Sequence, residues 1–237
     1  MSSEQVTDRA ETTENPWKRS YWSLIVTQFQ GDFSDNALKY LVIYLIVSSG
    51  IPANQRDLLI PLTGALFALP FIFFSMAGGF LADRLSKRTV TIGVKYFEIA
   101  VMLIACAGLT FRILPLQFTA IFLMGVHSAV FGPSKYGLMP ELLPEKRLSW
   151  GNGVLELATF LAIITGTVSG AMMSEKFREA QQWSGVILLL LAGFGLSTSY
   201  GINRVPAAAP TKKFRVNFFS DLLAQIRLIR RDRVLFL

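Results

Sequence analysis

The sequence predicts an all-α membrane protein built from six transmembrane helices. Three observations carry that expectation: the composition, six apolar stretches of spanning length, and the side on which Lys and Arg collect. Hydrophobic residues make up 52% of the chain and charged residues 16%, with a mean hydropathy of +0.45. A soluble domain carries about 25% charged residues, so the balance favours a chain whose surface faces lipid.

A helix crossing the hydrocarbon layer needs about 20 mostly apolar residues. The stretches 21–49, 58–81, 90–111, 116–136, 150–173 and 183–200 satisfy this. The gaps between them carry turn and charge signals: Gly50-Ile51-Pro52, then residues 82–89, 112–115, 137–149 and 174–182. Pro61 and Pro70 fall inside the second stretch. Membrane helices accept such prolines because neighbouring groups re-satisfy the freed backbone.

Orientation follows from the cations. With the N-terminus inside, seventeen Lys and Arg lie on inner loops and tails, and four (Arg56, Arg112, Lys176 and Arg178) lie outside. Lys39 and Lys95 sit within spans. The bias predicts cytoplasmic termini. It also accounts for the net charge of +7, so nucleic acid is not an expected partner. Cys106 is the single cysteine and lies in an apolar run, which leaves no disulfide framework and no cysteine metal site. No cofactor or metal is expected.

The ends read differently from the middle. Residues 1–20 are polar and lack the apolar core of a signal peptide; they are expected to form a disordered cytoplasmic tail. The six-helix half-bundle occupies 21–203, and 204–233 reads as a cytoplasmic linker with an amphipathic helix. There Phe218, Leu222, Leu223, Ile226 and Ile229 recur at helical spacing, with Arg227, Arg230 and Arg231 elsewhere on the circumference. Such a helix fits the anionic inner leaflet, or serves as a plain connector. Residues 234–237 read as the truncated start of a seventh span, so the chain is expected to be a fragment of a longer protein.

The first span holds the most informative pattern. Gln28, Asp32, Asp35, Asn36 and Lys39 fall within an arc of about 100° on a helix, forming one stripe. A charge near the bilayer centre costs about 2.5–3.5 kcal/mol even on the lenient insertion scale. The stripe is therefore expected to face a water-filled substrate path, with Asp35 and Lys39 as an i, i+4 pair. A mutually neutralised seam that only joins helices is the competing reading. Lys95 and Glu98 on span three, and Asn152, Glu156 and Thr159 on span five, extend the candidate path. Gly166 and Gly170 give a small-residue packing face. His127 is the only histidine; a bundle hydrogen bond and a proton relay are both open readings of it.

Between spans two and three stands GGFLADRLSKRTV. Gly79, Leu81, Asp83, Arg84, Lys87 and Arg88 resemble the signature loop of the major facilitator superfamily, with Ser86 where that family usually has Gly. The resemblance implies the N-terminal six-helix half of that fold and an inner gate built on Gly79, Asp83, Arg84, Lys87 and Arg88. Gly79 is expected to allow close helix approach, and Asp83 to meet a helix N-terminus or a basic partner, in that family largely from the second half of the molecule. Gly125 resembles the Gly of the fourth-helix motif in proton-coupled drug antiporters, but Ile121 stands where those carry Arg, which speaks against that mechanism.

Three segments, DNALKY (35–40), FGPSKYGLMPELLPEKRLSWGNG (131–153) and LELATFLAIITGTVSG (155–170), resemble bacterial lysophospholipid transporters. Some of these are fused to 2-acylglycerophosphoethanolamine acyltransferase and acyl–carrier-protein synthetase domains. The resemblance implies flipping of lysophospholipid, chiefly lysophosphatidylethanolamine, across the bacterial inner membrane for reacylation. Its expected partners are the bilayer, that substrate and a second six-helix half. Asp32 and Asp35 suit the substrate ammonium, and Lys39, Lys95 or Lys135 its phosphate. Phe71, Phe73 and Phe74 suit the acyl tail, or plain lipid-facing packing. Lys135 and Tyr136 read equally as interfacial anchors. A facilitator of a sugar, drug or other metabolite is the alternative. An enzyme is not expected: no nucleophile–base set is visible, and His127 is followed by Phe131 and Gly132 where an acyltransferase H-x-x-x-x-D motif needs Asp. Any fused enzymatic domain would lie beyond Leu237.

Overall fold

The computed structural model describes residues 16–212. It contains six long helices: α1 (Pro16–Ser48), α2 (Ala53–Arg84), α3 (Lys87–Thr110), α4 (Leu114–Leu142), α5 (Leu148–Lys176) and α6 (Gln182–Ser199). A single 3-10 turn, Glu145–Arg147, joins α4 to α5, and no strand occurs among the described residues. Five of the helices, α2 to α6, are long and apolar enough to cross a membrane. α1 has the length, but Asp32, Asp35 and Lys39 lower its hydropathy.

Every helix starts one to five residues before its predicted span, and two of the differences change a region given another role. α1 begins at Pro16, so residues 16–20 are helical rather than tail. Pro at the first helical position has no N–H to leave unpaired. α4 runs through Gly137 and Pro140 to Leu142, across residues expected to be loop. Helix continues because Pro140 lies within the membrane-type helix, where such residues are tolerated. The amphipathic helix expected at 204–233 lies outside the described residues from 213 onward, as do residues 1–15 and the seventh-span start at 234–237.

α1 packs most extensively on α5, and α2 on α4. α1 also meets α6, and α4 meets α3. The first and second triplets of helices thus play matching parts, the three-plus-three repeat of such half-bundles. Close approach of α1 to α5 depends on Gly170, where a Cβ would sit 2.9 Å from Leu41 N. Against α4 the pressed glycine is Gly78, whose Cβ would lie 2.8 Å from Val130 Cα. Gly79, expected to do this, has open space at that position; one residue turns the helix by about 100°.

Two apolar clusters fill the bundle. One holds Leu38, Leu41, Val101, Met102, Ile121, Met124 and Leu188; the other holds Tyr21, Leu24, Val94, Leu138, Met139 and Leu155. Between them α1, α3 and α4 each carry polar side chains at the same level: Gln28 to Asp35, Lys95 to Glu98, and His127 with Ser128. Outside, Leu103, Phe160, Leu190 and Phe194 are exposed, as a lipid-facing surface requires. Phe71 and Phe73 are exposed as well.

Candidate functional site

α1 carries polar residues on two opposite faces, and the structure uses them differently. On one face, Gln30 Nε2 donates to Ser34 Oγ at 2.9 Å and to Glu98 Oε1 at 2.8 Å. Lys95 Nζ donates to Gln30 Oε1 at 2.7 Å and pairs with Glu98 Oε2 at 2.7 Å. His127 Nε2 stands 3.4 Å from the same Glu98 oxygen. Gly31 makes room for the ammonium: a Cβ there would lie 3.1 Å from Lys95 Nζ. Lys95 and Glu98 are both 0% exposed. The structure brings these two predicted path residues together, but behind α1 and sealed from any open surface. A buried pair of this kind is tolerable only when its remaining lone pairs and protons find partners; Gln30 supplies hydrogen bonds to both members, while His127 Nε2 faces the carboxylate without a hydrogen bond of its own.

The other face is the predicted stripe. Gln28 Nε2 donates to Asp32 Oδ2 and, at 3.3 Å, to Thr159 Oγ1 on α5. Asn36 Nδ2 donates to the Asp32 carbonyl at 2.8 Å, and Lys39 Nζ donates to Asn36 Oδ1 at 3.0 Å. Lys39 also lies over the Phe67 ring, 4.9 Å from its centroid. Gln28, Asp35 and Asn36 are buried, whereas Asp32 and Lys39 are half-buried. Lys39 therefore pairs with Asn36 through a hydrogen bond, and no Asp35–Lys39 ion pair forms among the described residues.

Asp35 stands apart. Ser128 Oγ on α4 donates to its Oδ2, while its Oδ1 is buried without a hydrogen-bond partner. An unsatisfied buried acceptor costs about 1–3 kcal/mol, more when charged. His127 Nδ1 lies 3.4 Å from the same Ser128 hydroxyl, so the two polar faces of α1 connect through α4. On α5, Glu156 accepts from Tyr136 OH at 3.0 Å, and Asn152 is exposed and apart from the cluster.

The signature loop fastens one end of the bundle. Asp83 Oδ2 accepts from Lys212 Nζ at 2.6 Å, and the Asp83 carbonyl accepts from Ala209 N–H at 2.7 Å. Lys212, in the chain's own linker, is thus a basic partner of Asp83 in this structure. Lys87 pairs with Glu141 at the end of α4. Arg88 Nε donates to the Ile202 carbonyl at 2.5 Å, tying α3 to the chain beyond α6. Arg84 lies over the Phe80 ring, 5.6 Å from its centroid.

The family signature described as "Major Facilitator Superfamily" matches residues 24–237. The chain belongs to the Major Facilitator Superfamily. The lysophospholipid transporter LplT of Photorhabdus laumondii is 29% identical over 215 residues, which is 91% of this chain and 46% of that protein. LplT of Salmonella paratyphi B is 26% identical over 216 residues, 90% of this chain and 50% of that protein. The chain therefore spans about half the length of these relatives. Among solved structures, a POT family transporter in complex with a thioalcohol-conjugated peptide superposes with a TM-score of 0.64 at 16% identity, covering 90% of this chain and 45% of the other. A second, holding 5-aminolevulinic acid, also gives 0.64 at 16% identity, covering 89% and 45%. At such identity the likeness concerns the fold, which is half of a superfamily transporter.

Gln30, Ser34 and Ser128 join the site without being expected from the sequence. Gln30 and Ser34 share an i, i+4 spacing on the face opposite the stripe, and that spacing was the available signal. Ser128 carries no signal beyond its place beside His127.

Proposed function

We propose that the chain supplies one wall of a lysophospholipid path across the bacterial inner membrane, with lysophosphatidylethanolamine as the main substrate and both termini cytoplasmic. The observation carrying this is the composition of the α1 stripe. Half-buried Asp32 and Lys39 offer charges of both signs, and Asp35 holds an unpartnered carboxylate oxygen between them. A zwitterionic head group needs both signs within a short distance, and a sugar needs neither. The names of the LplT relatives support the substrate class. Asp32 and Asp35 take the ammonium, while Lys39 takes the phosphate as a point charge. Lys95 and Glu98 hold α1 in register from behind, and Asn152 and Glu156 extend the wall on α5. The signature loop, through Gly79, Asp83, Arg84, Lys87 and Arg88, forms the inner gate. The opposing wall comes from a second six-helix half.

Uptake of labelled lysophosphatidylethanolamine by spheroplasts tests the proposal. Cells expressing the full-length protein are expected to internalise and reacylate the label faster than cells without it, with no gain for labelled sugars. Equal rates in both strains would remove the lysophospholipid assignment.

A further inference from the structure

At the end of the bundle opposite the signature loop, the tips of α1, α3, α4 and α6 and the connections beside them line a half-open pocket of about 260 Å³. Its lining includes the apolar side chains of Leu45, Leu109 and Leu114 and the buried Gln117 and Gln181. Both glutamine amides are committed, Gln117 to the Gly108 carbonyl at 3.0 Å and Gln181 to the Ser174 carbonyl at 3.0 Å. Arg112 and Arg178 complete the lining.

Two features set these arginines apart, and a third belongs to Arg112 alone. The outer loops are poor in cations, yet two of their four converge on this one cavity. Neither forms an ion pair with a carboxylate among the described residues; Arg112 Nη2 reaches only the Arg178 and Glu179 carbonyls, at 3.5 Å each. In addition, Arg112 has φ 54, making it the non-glycine residue with positive φ among those described. A left-handed position at a helix C-terminus favours Gly. Non-glycine residues held there concentrate at ligand sites.

We propose that this cavity binds the phosphate group of an anion between the guanidinium groups of Arg112 and Arg178. Planar guanidinium forks suit phosphate oxygens, and two of them offset the charge of a phosphate or phosphodiester. The volume lies just under the roughly 300–1,000 Å³ of drug-sized sites, so a head group fits and a whole lipid does not. The phosphate can come from an outer-leaflet lipid head group or from free phosphate. If lysophospholipid is the substrate, as the reading above holds, this is where its head group is first captured.

Calorimetric titration of the full-length protein in a phosphate-free maltoside detergent tests the site, with glycerophosphoethanolamine and inorganic phosphate as separate probes. At least one probe is expected to bind, and an R112G/R178Q variant to weaken it at least tenfold. R56Q, which alters an outer arginine away from the cavity, is expected to stay within twofold. Tighter binding of glycerophosphoethanolamine identifies a lipid head group as the source; tighter binding of inorganic phosphate identifies the free ion. Gly accepts the Arg112 backbone without strain, so R112G alone keeps the fold, and its thermal midpoint checks this. Unchanged affinity in the double variant, or no binding of either probe to wild type, would overturn the proposal. Failure of lysolipid uptake would remove the transport reading and leave these titrations informative.

Discussion

Lys95 Nζ lies 2.7 Å from Glu98 Oε2 in the middle of the bundle, one helical turn apart on α3, with neither side chain reaching the surface. Gln30 of α1 bridges the two, and His127 of α4 faces the same carboxylate. The pair therefore joins three helices at the level where the apolar clusters part. Removing one partner leaves an uncompensated buried charge, at a cost of about 3–5 kcal/mol. Glu98→Gln and Lys95→Met are each expected to lower the thermal midpoint in detergent sharply. The double variant is expected to recover more than half of the loss, and thermal unfolding followed by a thiol-reactive dye at Cys106 reads this directly.

Gly170 sets how closely α1 meets α5. A side chain there meets the Ala37 carbonyl and Leu41 N–H of α1. Overpacking of this kind costs about 1–3 kcal/mol or more where backbone must move. Gly170→Val is expected to reduce the yield of folded protein on size-exclusion chromatography. Gly153→Ala, with open space at its Cβ, is expected to change nothing.

Asp83 and Lys212 form an ion pair 2.6 Å long whose side chains are 42% and 48% exposed. Exposed pairs are worth about 0–1 kcal/mol and are screened by salt. Lys212→Ala is accordingly expected to leave the unfolding midpoint almost unchanged. If the pair holds the inner gate, the same variant shifts the rate of substrate uptake, and the shift shrinks at high salt. Stability and uptake moving together would instead mark Lys212 as a structural residue.

Arg112 occupies a backbone conformation that L side chains adopt only at a cost of about 1–2 kcal/mol. Gly relieves that strain but adds freedom to the unfolded chain, worth about 0.4–1 kcal/mol. Arg112→Gly is expected to leave stability within about 1 kcal/mol of wild type, by thermal unfolding.

Much of this architecture was legible because lipid imposes simple rules. Spanning length, a basic loop after the second span and the i, i+4, i+7 stripe on α1 each reflect one physical constraint. The positions of Gly166 and Gly170 against α1 follow from the same logic of small residues at helix contacts. What the sequence hid is tertiary. Gly78 and Gly79 are equally small, and only the rotation of α2 decides which touches α4. Lys95 and Glu98 show helical spacing but not that Gln30, on the far face of α1, encloses them. The Asp83 partner in the linker lies 129 residues away in the chain, beyond any local pattern. The convergence of Arg112 and Arg178 depends on how two loops meet.

Acids on α1 are proposed to meet substrate. Uptake of labelled lysophosphatidylethanolamine by cells expressing Asp35→Asn, with membrane insertion checked by immunoblot, tests this contact. The expected result is insertion at the wild-type level with uptake reduced at least tenfold. Wild-type uptake by that variant would contradict the assignment of Asp35, and with it the reading of the stripe as a transport wall.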